Sequence, residues 1–129
     1  MEETQVDSIK NALTIQDQYC TLLNLQDAGT SLSPSLTIKN GVKYGSIVIT
    51  TSSTYNGTTG TIALQGSNDN SNFQAVLQDD NATAMSFTPA ASSTYTFLLK
   101  AVLFKYYKLV YTKGDASAGT ITSNFIGKI

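Results

Sequence analysis

The run Ser67-Asn68-Asp69-Asn70-Ser71-Asn72 is where this sequence comes nearest to chemistry. Six consecutive side chains carry carboxylate, amide or hydroxyl oxygens, the donors a hard cation takes. On a twelve-residue calcium loop, Asn68, Asn70 and Asn72 would take positions 1, 3 and 5, and Asp79 position 12. The template fails twice. Position 6, glycine in a calcium loop, is Phe73, and one carboxylate stands where several are used. No metal is assigned. A turn accounts for the same residues. Asn and Asp side chains bond their own main chain two residues on, and Asn tolerates left-handed backbone. Ser67, Asn68, Asp69 and Asn70 are therefore read as a structural turn joining two antiparallel strands.

The other reactive side chains have no partners for a reaction. The sequence holds no His and no Arg; all eight of its cations are Lys. That removes the commonest general base, the Ser-His and Cys-His nucleophile pairs, and the planar fork that clamps phosphate or carboxylate. Cys20 has no imidazole to activate it and reads as a small buried hydrophobe. One Cys without His cannot hold zinc. Asp79 and Asp80 are neighbours, so on extended chain they face opposite ways and make a poor acid-base pair. No glycine-rich phosphate loop is present. The chain is read as no enzyme, with no cofactor.

Charge sets further limits. Only 13% of residues are charged and the net charge is −1. The cationic-aromatic run Lys105-Tyr106-Tyr107-Lys108 does not make the basic excess of a nucleic-acid binder, so no nucleic-acid partner is expected. No apolar run approaches a membrane span, so no membrane partner is expected either. The acidic N-terminus lacks the apolar segment of a signal peptide, which predicts synthesis in a cytoplasm.

The elements that must position these residues read as strands. Seven Tyr, five Phe and many β-branched residues favour a sheet. Residues 35–39, 44–51, 61–67, 73–78, 84–89, 94–104, 106–112 and 120–129 form about eight short segments separated by turn signals, among them Asn40-Gly41. Residues 20–25 lean to strand. Alternation puts Ile47, Ile49, Ile62, Leu64, Phe97, Leu109, Ile121 and Phe125 in the core, with Tyr107 and Tyr111 beside Leu109. It also groups Phe73, Ala75 and Leu77 on one face. The expected fold is all-β: a single antiparallel β-sandwich, jelly-roll-like, over 13–129. A short arm or helix over 1–12 precedes it. Val6, Ile9 and Leu13 fall at helical spacing there and make a candidate assembly arm.

"GTIALQGSNDNSNFQAV" and, some thirty residues later, "KYYKLVYTKGDASAGTITSNFIGK" resemble a β-sandwich domain of tailed-bacteriophage virion proteins. The matching positions are Ser67, Asn68, Asp69 and Phe73, then Tyr107, Val110, Thr112, Gly119, Thr120 and Ile121. The turn is also similar to that of discoidin-type sandwiches, which usually carry Gly and Trp where this chain has Asn70 and Phe73. The resemblance spans roughly 44–128 and transfers no binding residue. It implies a structural virion protein: a capsid-decorating, head-fibre or tail-associated subunit, located in the virion. Its partners would be other capsid or tail subunits or further copies of itself. The alternative is a carbohydrate-binding adhesion module, in which an exposed loop tyrosine such as Tyr55 stacks on a host glycan.

Overall fold

The computed structural model describes residues 18–25, 28, 29, 31 and 33–128. The expected arm over 1–12, with Val6 and Ile9, and Leu13 beside it, lies outside them. Nine strands are present: β1 Gln18–Leu25, β2 Ser35–Thr37, β3 Tyr44–Thr51, β4 Thr61–Ser67, β5 Gln74–Ala75, β6 Ser86–Phe87, β7 Thr94–Leu99, β8 Tyr106–Thr112 and β9 Ile121–Lys128. They form two antiparallel sheets, ordered β1-β9-β3-β7 and β2-β8-β4-β5, with β6 also paired to β4.

The topology is that of a jelly roll. β5 and β6 lie along the same side of β4, at Gln65–Gly66 and Ile62–Ala63 respectively. They behave as one edge strand interrupted by an excursion over 77–84. The Leu64 N–H donates to Met85 O, and Leu64 O accepts from the Val76 N–H, both at 3.0 Å. Counted this way there are eight strands among the described residues; the sequence reading keeps the two halves of this edge apart, at 73–78 and 84–89, and adds 20–25 beside its eight segments. The first pairs with the last, β2 with β8, β3 with β7 and β4 with the β5/β6 edge. The chain is thus one long double ribbon, rolled so that β9 also pairs with β3 and β8 with β4.

Alternation builds the core. The inner faces carry Ile47 and Ile49 from β3, Phe97 and Leu99 from β7, and Ile121 and Phe125 from β9 in one sheet. Ile62 and Leu64 from β4 and Tyr107, Leu109 and Tyr111 from β8 face them from the other. Every core residue named from the sequence is buried. Asn40-Gly41 forms its turn, with Gly41 at φ +91°, a conformation open to a residue without Cβ.

Three expectations need correction. The apolar run 94–104 is not one strand: β7 stops at Leu99. The chain must cross there from one sheet to the other to begin β8, and the Val102 N–H bonds Lys43 O (2.7 Å) instead of continuing a ladder. In 73–78 the buried residue is Val76, while Ala75 and Leu77 are exposed and Phe73 is half-buried. Strand pairing there lasts only two residues before the excursion, too short for alternation to report the core face. Tyr55 is buried, with 3% of its surface exposed, so it cannot stack on a sugar. Gly119, at φ +100°, brings its own backbone against that of Tyr55, where a Cβ would collide.

Candidate functional site

Three aspartates organise loops. In the turn after β4, Asp69 Oδ1 accepts from the main-chain N–H groups of Asn72 (2.8 Å) and Ser71 (2.9 Å) and from the Ser67 hydroxyl (2.8 Å). The Asn72 amide donates to Oδ2 (2.8 Å). Asn70 takes φ +58° at the apex, and Asn68 Oδ1 accepts from the Lys105 N–H (3.2 Å). Asp80 repeats the device in the excursion: Thr83 and Ala82 donate main-chain N–H groups to it (2.8 and 3.0 Å), and Asn81 takes φ +55°. At the opposite end of the sandwich, Asp115 accepts from the Thr58 hydroxyl and from the N–H groups of Thr58 (2.7 Å) and Thr59 (3.0 Å).

These bonds favour the charged carboxylates. Main-chain donation by Asn72 and Ser71 holds Asp69 well below its ordinary value. The Thr83 hydroxyl and main chain bring Asp80 down to about 2. The Thr58 hydroxyl and main chain lower Asp115 strongly. The oxygen-rich run is thus filled from inside, its carboxylate turned toward its own loop. Asp79, the twelfth position of the discarded calcium template, pairs instead with Lys100 (Oδ2 to Nζ, 2.6 Å).

The Lys105–Lys108 run is likewise dispersed. Tyr107 is buried, its hydroxyl accepting the Leu103 N–H at 3.3 Å, and burial pushes its phenol up. Lys108 sits over the Phe73 ring, 4.2 Å from the centroid, a cation–π contact.

Among the described residues, an apolar surface lies along one side of the sandwich. There the edge of β7 and the β5/β6 edge border a groove of about 630 Å³. Met85, Phe87, Tyr95 and Phe97 form its apolar floor. Phe87 stacks on Tyr95 with centroids 4.0 Å apart and meets Phe97 edge-on at 5.4 Å. A second cavity of about 340 Å³ continues it toward Leu77, Leu103 and Phe104. Leu98, Lys100 and Asp79 line both, so the ion pair stands at their junction. Leu77, Leu98 and Leu103 are 43%, 60% and 74% exposed. Three open leucines thus stand around these adjoining cavities, an exposed apolar patch on a small domain.

Sequence reasoning passed over this groove. One signal was available: within β7, Leu98 breaks the outward series begun by Thr94 and Thr96. The two borders of the groove come from residues 74–87 and 94–100, which only the rolled ribbon brings together.

No protein-family model matches the chain, and no curated protein matches it. Solved structures do. The SPBc2 prophage-derived protein YomS aligns with a TM-score of 0.53 at 11% identity, over 86% of this chain and 93% of its own. PirA aligns with a TM-score of 0.45 at 16% identity, over 85% and 93%. The likeness to YomS is one of fold, and agrees with an all-β sandwich of two antiparallel sheets.

Proposed function

We propose that this chain is a phage-associated structural subunit that works by protein-protein assembly on a particle. The observation that carries the reading is the groove beside β7, with Leu77, Leu98 and Leu103 open around it. The supporting facts are of different kinds. The composition, without His or Arg, supplies little for catalysis. The oxygen-rich turn spends its carboxylate on its own backbone. A structure of similar fold is prophage-derived. Capsid decoration, a head fibre and a tail-associated position are the particular forms such a subunit would take. The test is replacement of the groove leucines by lysine, singly, in the phage or prophage that encodes the chain. Particles that lose this chain, while the chain itself stays folded and abundant in the lysate, are the expected result. Undiminished incorporation of every leucine variant would contradict assembly through this surface.

A further inference from the structure

The free edge of β7 differs from the other sheet edges among the described residues. β2 is three residues long, and β5 and β6 two each. β1 is longer, but its register shifts between Thr21 and Leu23. Short and bulged edges are poor templates for another strand. β7 instead pairs with β3 in unbroken register over six residues, Thr94–Leu99, and carries no bulge or proline.

Its outward hydrogen-bonding groups follow from the ladder. The Thr51 N–H donates to Ser93 O (2.9 Å), which makes that facing pair a bonded one. Bonded and non-bonded pairs alternate along an antiparallel ladder. Tyr95, Phe97 and Leu99 therefore bond β3, and Thr94, Thr96 and Leu98 turn their N–H and C=O groups away from it. A strand added there would set every second side chain over the groove floor of Met85, Phe87, Tyr95 and Phe97.

The chain itself supplies a suitable strand. Residues 11–17, Asn-Ala-Leu-Thr-Ile-Gln-Asp, place Leu13 and Ile15 two apart at the middle of one strand face, with Asn11 and Asp17 at the ends of that face and Thr14 and Gln16 on the other. They immediately precede Gln18, which pairs with Gly127, as Gly45 does, while Gly45 pairs with Leu99 on its other side. Gln18 stands at the level of Leu99 and on the far side of the sheet from it, and Leu13 lies too few residues before Gln18 to span to the β7 edge of the same copy. From β1 to a position outside β7 is four strand spacings, about 19 Å. The five residue steps from Gln18 back to Leu13 span at most about 18 Å fully extended, with no allowance for a turn.

We infer that residues 11–17 of one copy add as a strand to the free edge of β7 on a second copy, with Leu13 and Ile15 over the groove. This deepens the assembly reading above and rests on it. A contact between an arm and an edge is head-to-tail unless two copies exchange arms reciprocally, so it builds either pairs or longer chains.

The test is sedimentation velocity of the full chain over a range of concentrations, with three variants. Thr96→Pro removes an outward N–H from the edge, Leu98→Lys charges the same edge without altering the backbone, and the double variant L13D/I15D spoils the strand. The expected result is concentration-dependent association of the wild type, and monomers for each variant at unchanged melting temperature. Mixing L13D/I15D, whose edge is intact, with Leu98→Lys, whose arm is intact, should restore one-to-one complexes. A wild type that stays monomeric throughout would overturn the inference. So would association that survives both edge variants, or a mixture that stays monomeric. A monomeric chain that is still built into particles would strike down arm addition alone and leave the assembly reading standing.

Discussion

Asp69 holds the turn after β4 with one carboxylate and four donated hydrogen bonds. The turn is polar because its side chains must replace ladder bonds where pairing ends. Asp69→Ala takes away the acceptor and leaves the Asn72 and Ser71 N–H groups without it. A melting temperature lowered by a few degrees is expected, while calcium or a chelator should leave the wild type unmoved. A calcium-dependent rise that disappears in Asp69→Ala would place a cation in the turn after all. The three lowered carboxylates also set an acid limit. Their folded values lie below the ordinary 3.8, so the stability they contribute is complete above that value and is lost as pH falls through the folded values. Asp80, at about 2, and Asp69 and Asp115, lower still, place the loss between about pH 4 and pH 2 and below. Thermal melts across that interval should fall with pH in the wild type and less steeply in Asp115→Asn. Equal slopes for the two proteins would contradict this assignment.

At the scale of elements, legibility followed length and one-sided burial. β8 could be read from its residues because Tyr107, Leu109 and Tyr111 alternate over the whole strand and all face inward. β3, β4 and β9 were legible for the same reason. β5 and β6 were read as strands, within 73–78 and 84–89, but their inward face and their shared edge were not, because two-residue strands hold too little pattern and their partner is fixed by β4 rather than by their own residues. The run 94–104 misled because its apolar character continues through the crossover: Val102 and Phe104 pack against the core although they leave the ladder. The turn 67–72 was legible because its bonds are local. The groove was not, since its borders are brought together by the β4–β6 and β3–β7 pairings. Leu64→Ala or Leu109→Ala should cost roughly 2–5 kcal/mol, as expected for a large side chain removed from a close-packed interior. Denaturant midpoints at the wild-type value would contradict the core. Amide exchange should be slowest in β8, β9, β3 and β4, which have neighbours on both sides, and faster in β5 and β6. Protection of the Gln74 and Ala75 amides equal to that of Leu109 would show that the split edge is not a separate, weaker unit.

The described residues form a rolled ribbon whose loops are tied down at both ends and which leaves a groove along one side. At one end Tyr111 donates to Ala28 O (2.6 Å), and the Asn56 carbonyl oxygen takes the Ser117 N–H (2.9 Å). At the other, Asn68 takes the Lys105 N–H. A frame tied in this way suits a building block: it holds a groove and a strand edge in fixed relation and leaves affinity to whatever is laid across them. The few charges fit the same use, since a surface covered in Ser, Thr and Asn makes contacts that salt screens little. That the chain acts as an assembled subunit is tested most directly in the particle. On the proposal that a phage or prophage encodes the chain, gradient-purified particles of it should be analysed by quantitative mass spectrometry. The expected result is this chain at a fixed ratio to the main structural protein, unchanged by a high-salt wash. Its absence from washed particles, with the whole pool recovered free in the lysate, would show that it is not an assembled subunit.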